Sequence, residues 1–232
     1  MSIRIKKNSR IKEFIFKQKC IPWRLQVKTT FVINKIKLKM GRGYDKDFFN
    51  SKHRKELLFA CVRPIVSSLI KEYNPGSVAD LGCGDGIYIE EFLCKGIDVF
   101  GFDNSREGIN RCKIRGINVK KFNIVKDEIG GRKKFDIAIC FEVAEHIPAI
   151  HSEKIVRHLS KLSGIVIFTA APPGQGGDNH INEQSKSFWI EKFKEYEYIF
   201  DVQNTEDLAN NWRGSGVVNY MYNNLMIFKN KK

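Results

Sequence analysis

With 232 residues, 42% hydrophobic and 12% aromatic content, the chain has apolar material for one generous domain with an appendage, and global disorder is excluded. The net charge of +14 is unevenly placed: residues 1–40 hold 12 of the 40 basic residues and one acid, Glu13, so +11 falls there and +3 on the remainder. A body so nearly balanced argues against a surface built mainly to grip nucleic acid.

The basic leader comes first. Ile11, Phe14 and Ile15 fall at helical spacing among Lys12, Lys17 and Lys19, and Ile36, Leu38 and Met40 alternate with Lys35, Lys37 and Lys39. Such a segment can lie on an anionic membrane, at about 1 kcal/mol per basic residue near the surface, touch RNA phosphates, or form a loosely docked arm. Gly41-Arg42-Gly43 closes it, which divides the chain into a basic extension over 1–43 and a folded domain over 44–232. The N-terminus lacks a continuous apolar signal region, and no apolar run reaches the roughly 18 residues of a membrane span. Cys20, Cys61, Cys83, Cys94, Cys112 and Cys140 are scattered without a Cys-x-x-Cys, as reduced thiols are. These features point to the cytoplasm, with peripheral membrane contact through the leader left open.

Asp45 to Tyr73 reads as helical, with an apolar stripe of Leu57, Leu58, Cys61, Ile65, Leu69 and Ile70. Pro64 is expected to start or kink a helix there. Next, Val78-Ala79-Asp80-Leu81 is a short buried strand, Gly82-Cys83-Gly84-Asp85-Gly86 a turn, and Ile87 to Leu93 has helical spacing. Closely spaced glycines let backbone N–H groups approach a ligand, and the following helix N-terminus favours an anionic group. The strand Asp98–Asp103 then ends in a carboxylate 21 residues beyond Gly82, where an α/β nucleoside site places its ribose-binding acid. The dinucleotide fingerprint fails, because Ile87 stands where its third glycine belongs.

The pattern Asp80-x-Gly82-x-Gly84-x-Gly86 with Asp103 resembles motif I of the class I S-adenosylmethionine (SAM) methyltransferases, and the resemblance runs from about Tyr73 to Phe228. It implies that the loop holds the methionine end of SAM and that Asp103 holds the ribose hydroxyls. It also implies a mainly parallel seven-stranded sheet flanked by helices, Rossmann-like, ending in an antiparallel hairpin. The family's helix before the loop covers the SAM pocket.

Beyond Asp103, Ser105 should cap a helix to about Arg115, and Val119 and Phe122 mark a third strand ending at Asn123. The family commonly has an acid there for the adenine amine. Asn123 could accept the same bond through its side-chain oxygen, with Asp127 as the alternative. Strands follow at Phe135–Phe141 and Gly164–Ala170, with a helix over about 152–163 between them. After the run Ala171–His180, helical pattern resumes near Phe188, and Tyr198–Phe200 and Leu225–Phe228 supply the last strands. Alternation of strands and helices independently gives an α/β fold with a mainly parallel sheet.

The chemistry should gather beyond the carboxyl ends of the strands. Glu142, Glu145 and His146 stand at i, i+3 and i+4, one face of a helical turn. This Glu-x-x-Glu-His resembles a motif of ubiquinone-pathway and related small-molecule O-methyltransferases, where Glu142 would lie near SAM. It also resembles the small-RNA 2′-O-methyltransferases, in which these positions and a later histidine, here His180, bind a divalent ion. Two carboxylates and two imidazoles suit Mg²⁺, Mn²⁺ or Zn²⁺. Without metal, His146 or His180 is the candidate base. His151 and His158 read as surface helix residues with no role.

Pro172-Pro173 departs from the Asn/Asp-Pro-Pro-aromatic motif of amino-group methyltransferases: Ala171 precedes it, and it follows the fifth strand rather than the fourth. Methylation of an adenine or amide nitrogen is disfavoured. Gly174-Gln175-Gly176-Gly177 reads as a mobile lid, with Trp189 and Trp212 as pocket walls. The expectation is a SAM-dependent methyltransferase acting on a small-molecule or saccharide hydroxyl. The alternatives are an RNA 2′-O-methyltransferase and a non-catalytic SAM-binding or activator subunit.

Overall fold

The computed structural model describes residues 49–50, 52–131 and 135–231. The basic extension over 1–43, and with it the expected membrane or RNA contact of residues 1–40, lies outside the described residues, as does Cys20.

The first helix, α1 (Lys52–Tyr73), runs through Pro64 without interruption. An internal proline forfeits one helical hydrogen bond and costs about 3 kcal/mol. Burial offsets it: Cys61, Val62, Ile65, Val66 and Leu69 all face the core. The expected break is overridden by that packing.

The chain then alternates as the glycine pattern suggests. It forms β1 (Ser77–Leu81), α2 (Ile87–Cys94), β2 (Asp98–Asp103), α3 (Arg106–Ile114) and β3 (Val119–Lys121). Ser105 caps α3 as expected, its hydroxyl accepting from the Gly108 amide at 3.1 Å. After β4 (Ile137–Phe141) come two short 3₁₀ turns, α4 (Ser152–Leu162) and β5 (Ile165–Thr169). The chain ends with α5 (Lys186–Lys194), β6 (Tyr198–Phe200), α6 (Val202–Gly214), α7 (Asn219–Asn224) and β7 (Met226–Asn230).

The seven strands lie in the order β3-β2-β1-β4-β5-β7-β6. Pairings through β5 are parallel, whereas β7 runs antiparallel to both β5 and β6. Successive strand residues feed opposite faces, as a sheet covered on both sides requires. Val78, Ile137, Ile139 and Ile167 meet α1, α2 and α6 on one face, while Ala138, Cys140, Val166 and Phe168 meet α4 and α5 on the other.

The sequence reading passes over α6 and α7, which separate β6 from β7. Signals for α6 were present: Asp201 caps it by accepting from the Asn204 amide, and Leu208 and Trp212 lie one turn apart. His158, read as a surface residue, is buried in α4. Its Nε2 faces the Ile124 carbonyl at 3.0 Å, and its ring stands edge-on to Phe122. Among the described residues the cysteines are free thiols, and no helix is long and apolar enough to cross a membrane.

Candidate functional site

Two rims form at the carboxyl ends of the strands. The first follows β1 and β2. Gly82, Gly84 and Gly86 all take positive φ, where an L side chain is strained. A Cβ on Gly82 would also run into Val143, and one on Gly108 into the Gly84 carbonyl, so the loop is pressed between β4 and the start of α3. The amides of Gly82 and Cys83 donate to the Phe102 carbonyl at 2.7 and 3.2 Å, which stitches the loop to β2.

Asp103 locks this rim. Its Oδ2 accepts from the Gly84 amide at 2.8 Å and its Oδ1 from the Ser105 amide at 2.6 Å. Burial pushes its carboxyl up to about 6, against the pull of those amide bonds. Asp80, on β1, is buried, and its Oδ2 meets no hydrogen-bond partner. Burial, then the charge of Asp103, raises its carboxyl to about 8. Two acids forced towards neutrality beside a glycine loop form a place that a cation would stabilise. The sulfonium and ammonium of SAM are such charges, so the residues present fit that cofactor. At the end of β3 the Asn123 side-chain oxygen already accepts from the amides of Val125 and Lys126, at 2.9 and 3.1 Å. Asp127 accepts from the Asn123 amide at 2.7 Å.

The second rim follows β4 and β5. Glu142 does not begin a helical turn; it takes φ of 52°, and only Ala144–His146 form a 3₁₀ turn. The helical turn expected to carry Glu142, Glu145 and His146 is therefore not built, although the Glu142 carboxylate still lies beside that of Glu145. The side chain of Glu142 instead accepts from Gln175 Nε2 at 3.1 Å and from Asn224 Nδ2 at 3.0 Å. Glu145, His146 and His180 do converge, one ligand atom from each lying within 4.8 Å of the others.

The chemistry of that trio is set by burial. Glu145 is fully buried, and neither carboxylate oxygen has a hydrogen-bond partner. Burial first, then the charge of Glu142, pushes its carboxyl up to about 9. Burial lowers the His146 imidazole to about 4, although its contact with the Asn179 carbonyl at 3.3 Å resists that. The His146 and His180 rings stand edge-to-face, 5.0 Å between centroids. His180 Nε2 is 4.0 Å from Glu145 Oε1, and its Nδ1 is 2.9 Å from Glu183 Oε1.

Long-range hydrogen bonds hold the two loops together. The Glu145 carbonyl accepts from the amides of Ile181 and Asn182, and the buried Asn182 side chain donates to the Ala144 carbonyl and the Ser152 hydroxyl. The sequence reading gives Asn182, Glu183 and Asn224 no role; the His180-x-Asn182-Glu183 run was the available signal for two of them. Trp189 and Trp212, expected as pocket walls, are core residues with no exposure. Trp189 packs on Phe168, and Trp212 donates to the Ser68 hydroxyl at 2.7 Å.

A glycine loop after β1, an acid closing β2, and a seven-stranded sheet whose last strand is inserted antiparallel define the class I SAM-dependent methyltransferase architecture. The chain belongs to the methyltransferase-domain family, whose model matches residues 52–214. Among curated relatives, the ubiquinone biosynthesis O-methyltransferase of Paraburkholderia phymatum is 34% identical over 101 residues, 40% of this chain and 43% of the relative. That of Erwinia tasmaniensis is 27% identical over 152 residues, 62% and 58% of the two chains. The matches thus span about half the length of these relatives. Two solved structures share the fold. Magnesium protoporphyrin IX methyltransferase from Synechocystis PCC 6803 with bound SAH gives a TM-score of 0.55 at 17% identity, over 74% of this chain and 90% of that one. The DhpI–SAH complex gives 0.57 at 12% identity, over 86% and 98%.

Proposed function

We propose that the protein transfers the methyl group of SAM to a hydroxyl oxygen of a small molecule or saccharide. The observation that carries this reading is the convergence of Glu145, His146 and His180 on the same side of the sheet as the glycine loop. Gly82, Gly84, Gly86 and Asp103 hold the cofactor, with Asp80 facing its positive charge. Glu142 lies at the edge between the rims. Its carboxylate, fixed by Gln175 and Asn224, suits the methionine end of the cofactor. The adenine would lie against the turn after β3, where Asn123 and Asp127, bonded to each other and to that turn, are the candidate partners for its amine.

SAM brings its own leaving group. The acceptor oxygen forms a bond to the methyl carbon as the sulfur–carbon bond breaks, and the hydroxyl proton must go to the protein. His146, held neutral by burial, and His180 beside it are the groups able to take it. Glu142, Asp178 and Glu183 make this side acidic, which favours a neutral acceptor over a phosphodiester chain. Names of the curated relatives support oxygen as the acceptor atom.

A second use of the same trio is supported by Glu145, a buried carboxylate without partners pointing at two imidazoles. Glu145, His146 and His180 would hold Mg²⁺, Mn²⁺ or Zn²⁺, with Glu142 drawn aside by Asn224 and Gln175. A bound ion would supply acidification of a coordinated hydroxyl.

Labelled SAM incubated with the protein and fractionated lysate tests the reading. Label is expected in small metabolites rather than in RNA or lipid. With a histidine base, one of His146→Ala and His180→Ala should cut transfer at least 100-fold, on the order expected for loss of a general base; with a bound ion both should, and SAM affinity is kept in either case. A chelator that abolishes transfer selects the ion, and one without effect selects the histidine base. Full transfer by both variants would end the proposal for this cluster.

A further inference from the structure

Glu183 is a hub that the methyl-transfer reading leaves unused. Its Oε2 accepts from the Gly174 amide at 2.8 Å and its Oε1 from the Gly176 amide at 2.7 Å. The same Oε1 lies 2.9 Å from His180 Nδ1. One carboxylate thus closes the glycine-rich loop and one side of an imidazole. The loop returns the contact: a Cβ on Gly177, whose φ is +157°, would overlap the His180 ring. A second tie holds the middle of the loop, where Gln175 bonds to Glu142 and Asn224. The expected mobile lid is therefore closed down by two acids in this structure.

We propose that Glu183 is a positioning residue that keeps the proton of neutral His180 on Nδ1 and the lone pair on Nε2, while clamping the 174–176 loop over the same ring. A carboxylate is only an acceptor, so Nδ1 must be the donor in this pair. The tautomer of a histidine is set by the hydrogen bond at its other nitrogen. Nε2 then faces Glu145 and His146, where a basic lone pair is needed whether it receives a proton or an ion. The groups around the ring are Glu183, Glu145 and His146, and Asp178 acts on His146 beside it. The inference rests on the reading of His180 as a working group of the site, but the arrangement is testable without an acceptor.

The experiment is ¹⁵N NMR of histidine-labelled full-length protein saturated with SAM, with His180→Asn used to assign the His180 signals. Wild type should show neutral His180 as the Nδ1–H tautomer. Glu183→Gln keeps the shape but presents an NH₂ either to the Gly174 amide or, in place of Oε1, to both the Gly176 amide and His180 Nδ1. It should shift His180 towards Nε2–H and speed amide exchange at Gly174 and Gly176 at least about tenfold. SAM affinity, measured on the same samples, should stay within about twofold and so show that the variant folds. Nε2–H in the wild type overturns the proposal, even if Glu183→Gln is unstable. An unchanged tautomer and unchanged exchange in Glu183→Gln overturn it equally. If the tautomer behaves as expected while His180→Ala retains full methyl transfer, the positioning stands and the base or ligand role of His180 falls.

Discussion

The two rims of this site are built by different physics. The rim after β1 and β2 is a backbone device: positive-φ glycines, amides donating to Phe102, and one acid closing the loop from 19 residues away. The rim after β4 and β5 is a side-chain device. It draws on residues as far apart as Glu142 and Asn224, and it leaves a buried acid, Glu145, without partners. A backbone device can be written in a short motif because local chain geometry builds it. A side-chain device needs the whole sheet to bring its members together. The first rim should therefore govern cofactor affinity, and the second the chemistry done with it.

The largest effect that would test this division is at Asp103. Asp103→Ala removes the acceptor for the amides of Gly84 and Ser105 as well as the proposed ribose contact. Charge-assisted bonds are worth about 1.5–3 kcal/mol each, so SAM affinity measured by calorimetry should fall at least about 100-fold. Unchanged affinity would remove the glycine rim as the cofactor site.

A smaller effect comes from pH. Burial raises Asp80 and Asp103 to about 8 and about 6, from ordinary carboxylate values near 3.8. An acid with a raised folded pKa binds its proton more tightly in the folded protein than in the unfolded chain. Its contribution to stability is complete below pH 3.8 and is lost as pH climbs through 6 and then 8. A cationic ligand reverses the preference, because it favours the ionised acids. Between pH 6 and 8 SAM should bind about tenfold more tightly, one pKa unit being worth about 1.4 kcal/mol. Binding should also release protons, read from calorimetry in buffers of different ionisation enthalpy. Affinity that is flat or falls over this range would show that the two acids do not face the cofactor's charge.

The smallest effect on either rim is expected from removing residues 1–40. SAM affinity should change by less than about twofold, since the cofactor residues all lie beyond Gly43. Attraction to anionic vesicles or RNA should vanish with those 12 basic residues. In the intact chain that attraction should weaken with salt, as charges are screened over about 8 Å at physiological ionic strength. A truncated protein that no longer binds SAM would place the leader in the folded domain.

By itself the sequence determined the sheet, the glycine loop and the acid after β2. Each rests on periodicity or on spacing within a single strand–turn–helix unit, where local sterics decide the outcome. It also singled out His146 and His180, which the fold brings ring to ring. It could not fix their surroundings. Helical spacing put Glu142 on one face with Glu145 and His146, but a left-handed residue at Glu142 replaces the helical turn, and Asn224 and Gln175 hold its carboxylate beside Glu145. Pro64 was tolerated because α1 buries its stripe against the sheet, and His158, Trp189 and Trp212 went inward for the same reason. Glu183 entered the site because the loop folds back on it after β5. Tertiary structure decided these cases because burial and long-range hydrogen bonds outweigh the local preferences that a linear pattern records.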